Sequence, residues 1–196
     1  MRELDTTNDA APGGHGLRAS GRAGKVRAVS RVMAMSCLVL SVVIVAAVAG
    51  YWLFAPWANI FAAAGLADAS RYPVAESTRV IGLGLSLLPV AIIVWGLMQA
   101  RTCFRAFAAG DVFSAAAAEG LRGFSVGVLV SSLLSPFVKA ALTVLLTWNG
   151  APGTRTLAFS LGSDTIIAVF FGATVLVMAW VMSEAVAMAD ENKQIV

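Results

Sequence analysis

The stretch from Val32 to Phe54 reads VMAMSCLVLSVVIVAAVAGYWLF and contains no charged residue. A helix rises about 1.5 Å per residue, so this stretch can cross a hydrocarbon core about 30 Å thick. Within lipid a spanning segment outside a closed barrel must be helical, because the helix satisfies every backbone N–H and C=O group internally. Ala47-Val48-Ala49 resembles a signal-peptide cleavage site, but apolar residues continue beyond it, which favours an uncleaved transmembrane anchor.

Three further apolar stretches follow, over residues 80–100, 124–148 and 165–188. The chain is 59% apolar and only 13% charged, whereas soluble domains carry about 25% charged residues. These values exclude a soluble enzyme domain, a disordered chain and a disulfide-stapled secreted module. The sequence therefore predicts an all-α polytopic membrane protein, with four transmembrane helices in an antiparallel bundle formed by residues 31–196.

Residues 1–30 precede this domain and are predicted to form a disordered, basic cytoplasmic tail. Residues 1–17 are rich in Gly, Ala, Asp and Pro, and residues 18–31 contain five cations and no acid. Such a segment is typical of a topology signal attracted to anionic lipid. A docking arm for nucleic acid or an acidic partner is the alternative, but no aromatic residues lie among the cations for base stacking, so no direct nucleic-acid binding is expected.

The distribution of Lys and Arg predicts the orientation. Ten of the 14 fall in the N-terminal segment, the 101–123 loop and the C-terminal tail. Because basic residues near span ends are retained in the cytoplasm, both termini are predicted to be cytoplasmic. Trp52, Trp57 and Trp148 would then mark the edge of the membrane that faces away from the cytoplasm.

Residues spaced four apart along the third span are all small or polar: Gly123, Gly127, Ser131, Ser135, Lys139, Thr143 and Thr147. Such a stripe favours close packing of two helices, and a polar permeation path is the alternative. Lys139 is the costly member, since a charge in mid-span needs a partner. Counted back from Trp148 it lies about 13 Å below the outer edge, and Asp164 is the acid most easily reached. We expect a Lys139–Asp164 contact, either as a structural tie or as a functional pair.

Catalytic and cofactor motifs are missing from the sequence. It contains no phosphate-binding loop, zinc-ligand set, nucleophile–base pair or dinucleotide motif after a strand. Cys37, Cys103 and the single His15 form no ligand pattern. We therefore predict no enzyme activity, no cofactor and no metal site.

The loop between the second and third spans carries both apolar anchors and cations, a pattern typical of a segment lying in the membrane interface. Ser114 is suited to cap a helix that begins at Ala115. With the C-terminal tail, this loop forms a predicted cytoplasmic contact surface, within which Glu184 could pair with Arg101 or Arg105. The surface comprises Arg101, Phe104, Arg105, Phe107, Gly110, Phe113, Ser114, Glu184, Asp190 and Glu191.

Part of this surface resembles a known family. Phe104, Phe107, Gly110, Phe113, Ser114, Leu121 and Gly123, with the acidic ending from Met182 to Val196, resemble the bacterial "domain of unknown function" 2975 family. The likeness covers residues 32–196, although the alanine run 115–118 departs from the more polar residues usual there. The resemblance implies a four-helix protein of the bacterial inner membrane without an assigned activity. It also suggests a helix-turn-helix regulator as a partner, by association alone.

Two functional hypotheses follow from these features. The first is a non-enzymatic inner-membrane protein whose contact surface binds a transcriptional regulator or another membrane subunit, including a second copy of itself. The second is a small transporter or channel subunit that uses Lys139, Asp164 and the polar stripe. The lipid bilayer is the surrounding medium in both.

Overall fold

The computed structural model describes residues 14–66, 76–111, 113–148, 157, 159 and 161–194, without the side chains of residues 14–23, 190 and 192–194. The helices are α1 (Gly14–Phe54), α2 (Trp57–Ala63), α3 (Glu76–Ala109), α4 (Ala115–Thr147) and α5 (Ser163–Gln194), and the described residues contain no strand. Four of these helices, all except α2, are long and apolar enough to cross a membrane. Each predicted span lies within one of them, apart from Trp148, which follows α4.

The first helix begins earlier than predicted. α1 starts at Gly14, so residues 14–30, expected to be disordered, continue the helix that contains the first span. Ala, Arg and Lys are strong helix formers, and no proline interrupts residues 14–54, so the helix can propagate backwards from its apolar part. Residues 14–30 are thus described as helix, and residues 1–13 lie outside the described residues.

The long helices make their extensive contacts in the order α1, α3, α4, α5. Between α3 and α4 the contacts run in opposite directions along the two sequences. Ser131 of α4 bonds to Pro89 of α3, and further along α4 towards its N-terminus Gly120 packs against Cys103. This pair therefore packs lengthwise, which brings residues distant in sequence close together.

The 101–123 segment, predicted to lie in the membrane interface, is divided between two helices, and its position relative to a membrane stays a prediction. Its first part continues α3 to Ala109 and its last part begins α4 at Ala115. α3 has 34 residues, about 51 Å at the helical rise, which is well beyond the thickness of a hydrocarbon core. The α3–α4 hairpin is thus long enough to project past the apolar layer.

Two ends of the molecule are named below. The α2 end contains α2, the C-terminal parts of α1 and α4 and the start of α5. The turn end contains residues 110, 111, 113 and 114 between α3 and α4, together with Arg27 of α1, which lies against Gly110.

Candidate functional site

The predicted contact between Lys139 and Asp164 is present and joins α4 to α5 at the α2 end. Lys139 Nζ lies 3.9 Å from Asp164 Oδ2. An N–H···O hydrogen bond is 2.7–3.2 Å long, so these two atoms attract as charges without forming one. The side chains are 55% and 74% exposed, so both remain accessible from outside the helices. The pair's role, structural or functional, stays a prediction.

Lys139 of α4 lies near the level of Arg79 along the packed α3–α4 pair, and its depth in a membrane stays a prediction. Ser131 donates a hydrogen bond to the Pro89 carbonyl oxygen at 2.9 Å, which sets the register of α4 against α3. Lys139 lies about 12 Å beyond Ser131 along α4, towards the α2 end. Arg79 lies about 15 Å from Pro89 along α3, in the same direction. With Asp164 beside Lys139, the positions of Arg79, Lys139 and Asp164 along their helices lie within about one helical turn of each other.

The last two turns of α4 continue past this level and pack against α2. Trp52, Ile60, Phe61 and Leu146 form a buried cluster there, with Phe61 fully buried. Trp52, predicted to mark the membrane edge, is buried in the protein: the residue is 4% exposed, donates from Nε1 to Ser86 Oγ at 2.9 Å and packs against Gly82. Its position relative to a membrane stays a prediction. The α2 end thus has a small core of its own.

Arg79 of α3 forms hydrogen bonds with the end of α1, an interaction that was not predicted from the sequence. Its Nη1 donates to the Trp52 and Leu53 carbonyl oxygens at 2.8 and 3.1 Å, and Nη2 donates to the Ala55 carbonyl oxygen at 3.2 Å. The guanidinium also lies 4.5 Å from the centre of the Trp57 ring. The last carbonyls of a helix lack intrahelical donors and carry partial negative charge, so a cation with several N–H groups stabilises them.

A cavity of about 390 Å³ lies beside this core, bounded by α1, α2, α3 and α4. Its walls are mostly apolar side chains, among them Val48, Trp52, Ile60 and Leu146, and Lys139 also lines it. The volume falls within the range usual for small-molecule sites. The α2 end therefore combines a preformed cavity with an ionic group.

The turn end is shaped by Gly110 and Ser114. Gly110 has φ +104°, a conformation that favours glycine, and a Cβ there would lie 2.9 Å from Arg27 Nη2. Ser114 has extended backbone, and its Oγ accepts a hydrogen bond from the Ala117 N–H at 3.3 Å, so the predicted cap is confirmed. Phe113 between them is 74% exposed.

The structure groups only some of the predicted contact surface. The Phe104 and Phe107 rings pack edge to face with centroids 6.3 Å apart. Within the described residues no ion pair joins Glu184 to Arg101 or Arg105, and that expected pairing is wrong because α4 lies between α3 and α5. The buried Arg101 Nε has no hydrogen-bond partner. Glu191 is exposed on α5, and the side chain of Asp190 lies outside the described residues.

A second cavity, of about 670 Å³, lies between α4 and α5 towards the turn end. Ala118, Glu119 and Arg122 line it from α4, and Trp180 and Ser183 line it from α5. We call it the α4–α5 groove. None of the described residues of the predicted contact surface lines the groove, but two of them adjoin it in sequence: Ser114 precedes Ala115, and Glu184 follows Ser183.

The small-residue stripe on α4 is a helix-packing surface over its first half. A Cβ on Gly127 would lie 2.7 Å from the Gly96 Cα, so the backbones of α3 and α4 touch there. Gly123 packs against Gln99, and Ser131 bonds to Pro89 as described above. Farther along, Thr143 donates back to the Ala140 carbonyl oxygen at 2.7 Å. The close helix packing predicted from the stripe is present where α4 meets α3.

The described residues contain no group of three or more His, Cys, Asp or Glu side chains able to hold a metal ion. Cys37 and Cys103 are buried and free of disulfides. The α4–α5 groove and the cavity beside the Lys139–Asp164 pair each have at least one charged residue in their lining.

Comparison with known proteins gives one match. A family model described as "Protein of unknown function (DUF2975)" matches residues 63–196, a shorter range than the 32–196 expected from the resemblance. The matched range contains α3, α4 and α5. No curated protein and no solved structure matches the chain.

Proposed function

The chain belongs to the DUF2975 family of proteins of unknown function, and we propose that it is a non-enzymatic protein of the bacterial inner membrane that binds a cytoplasmic protein. The α4–α5 groove is the binding site in this proposal. The observation that supports it most directly is that the groove is lined by Ala115 and Ser183, the sequence neighbours of Ser114 and Glu184 in the predicted contact surface.

The proposed topology is an antiparallel bundle with both termini in the cytoplasm. The opposed contact directions of α3 and α4 agree with it. The excess of Lys and Arg near the turn end agrees with the positive-inside rule. The turn end is then cytoplasmic, and the α2 end, with the Lys139–Asp164 pair, faces the opposite side.

The groove's chemistry suits an amphipathic helix as the partner's binding element. Trp180 and the alanines of α4 offer apolar surface, whereas Glu119 and Arg122 supply one charge of each sign. Such a mixture fits a helix that buries an apolar face and pairs charges at its edge. A helix-turn-helix regulator, the partner class suggested by the family resemblance, consists of such helices.

Photo-crosslinking in living cells tests this proposal. A photoreactive amino acid at Ser183, inside the groove, is expected to capture a soluble protein, and deletion of residues 189–196 is expected to reduce capture severalfold. The same probe at Phe54, 85% exposed at the α2 end, is the matched control and should capture none. Equal capture at both positions, or none at Ser183, would contradict a groove-directed partner.

A small transporter or channel subunit is the second candidate, because Lys139 lines a cavity as well as meeting Asp164. The two proposals assign importance to different residues. If proteoliposomes containing the protein show solute or ion flux and Lys139→Leu abolishes it, transport is favoured. If the protein instead binds a partner through the groove, Lys139→Leu should leave crosslinking at Ser183 unchanged.

A further inference from the structure

The cavity at the α2 end has walls that hold their shape. On one side the Trp52 indole is fixed by its bond to Ser86 and by contact with Gly82. Arg79 holds the end of α1 through three carbonyl oxygens, and α2 covers the cavity with Ile60. Because all of these contacts join groups of the chain itself, binding would require little reorganisation.

The polar residues lining this cavity differ in how far their hydrogen bonds are already used. Tyr51 Oη donates to the Asn59 carbonyl oxygen at 3.2 Å, Ser86 Oγ accepts from Trp52, and Thr143 Oγ1 donates to a carbonyl of its own helix. Lys139 is the remaining polar lining residue. Its ammonium has three donors and makes the long 3.9 Å contact with Asp164, so it retains capacity for an anion.

Shape and charge together define a ligand class. An apolar cavity with one cation among its lining residues is complementary to a molecule that has an apolar chain and one anionic head. The volume of about 390 Å³ suits one chain and is small for the paired chains of a phospholipid. We propose that this cavity binds a single-chain amphiphile with a carboxylate head, which pairs with Lys139 while its chain packs against α1, α2 and α4.

In this arrangement Asp164 competes with the ligand for the ammonium. Removing the Asp164 charge should then strengthen binding, whereas removing the Lys139 charge should weaken it. If the ion pair only stabilised the structure, either substitution would break the same contact. Both variants would then change ligand affinity in the same direction. This difference in sign separates a ligand site from a tie.

The test measures saturable binding of radiolabelled laurate to the full chain in nanodiscs of zwitterionic lipid, with empty nanodiscs as background. Lys139→Gln is expected to weaken binding about tenfold, the effect of losing one charge-assisted hydrogen bond. Asp164→Asn is expected to strengthen it about threefold, as for loss of an exposed competing charge. Unchanged affinity in Lys139→Gln, or weaker binding in both variants, would overturn the proposal.

Two neighbouring alanines on α2 provide a matched pair that leaves the charges intact. Ala63 lines the cavity and Ala62 does not, and both are exposed, so leucine at either position is compatible with folding. Ala63→Leu should weaken laurate binding about tenfold through lost space, and Ala62→Leu should leave it within about twofold. Equal effects of the two would exclude this cavity as the site. The same measurement is repeated in nanodiscs that contain phosphatidylglycerol. Loss of laurate binding there would overturn the proposed free carboxylate ligand and would indicate that the cavity binds a lipid headgroup instead.

Discussion

The α3–α4 interface and the α2 end hold helices together by different means. Along α3 and α4, glycine brings backbone against backbone, as at Gly96 and Gly127. At the α2 end, by contrast, the indole of Trp52 and the guanidinium of Arg79 join the helices through directional bonds. A backbone contact cannot adjust to added volume, whereas a side-chain contact can lose one bond and keep others. The two regions should therefore differ in sensitivity to substitution.

The largest effect is expected at the glycine contact. Gly127→Leu places a side chain where a Cβ alone would lie 2.7 Å from the Gly96 Cα, so the two helices must separate. Overpacking of this kind costs about 3 kcal/mol at the upper end of the usual range. The free energy of unfolding, measured by SDS titration in mixed micelles, should fall by about that amount.

Gly84→Leu on α3 is the matched control for this substitution. Nothing lies within 4 Å of a Cβ at Gly84, so the added side chain meets open space. Its unfolding free energy should stay within about 0.5 kcal/mol of the parent protein. Similar losses in both variants would mean that α3 and α4 do not meet as closely as described.

The sequence predicted this interface in part, and the limits have a physical cause. The four-residue spacing of Gly123, Gly127 and Ser131 marks one face of α4, because residues four apart are helix neighbours. It says nothing about which helix covers that face, so Gly96 could not be identified as the partner of Gly127. Periodicity describes one helix, whereas an interface depends on the register between two.

At the α2 end the sequence analysis found the ion pair but not the packing around it. Lys139 and Asp164 were paired correctly, because an opposite charge across a short hairpin is the nearest partner. The depth of Lys139 in a membrane stays a prediction, because the count from Trp148 gives only its distance from the end of α4. The packing of Leu146 against α2 could not be predicted, since it depends on how two helices meet.

The role of Arg79 predicts the second-largest effect. Arg79→Met keeps an unbranched side chain of similar length but removes the hydrogen bonds to the Trp52, Leu53 and Ala55 carbonyl oxygens and the contact with Trp57. Together these should lower the unfolding free energy in the same SDS titration by about 2 kcal/mol.

Arg105→Met removes a cation from an exposed position near the turn end and serves as the control. A surface charge without such contacts contributes little, so its unfolding free energy should change by less than about 0.5 kcal/mol. The loss of unfolding free energy in Arg79→Lys should lie between those of the two methionine variants. A lysine ammonium keeps the positive charge but lacks the planar set of N–H donors of the guanidinium. If Arg79→Met behaved like Arg105→Met, Arg79 would not be fastening α1.

The smallest effect is expected where one directional bond supports the glycine contact. Ser131 Oγ donates across to the Pro89 carbonyl oxygen at 2.9 Å, whereas Ser135 Oγ donates within its own helix to the Ser131 carbonyl oxygen at 2.9 Å. Hydrogen bonds between membrane helices average about 0.6 kcal/mol, so Ser131→Ala should lower the unfolding free energy by about that amount. Ser135→Ala removes a hydroxyl from the same face but no contact between helices, and it should have almost no effect. Equal losses would show that the hydroxyls stabilise α4 itself, leaving glycine packing alone to join it to α3.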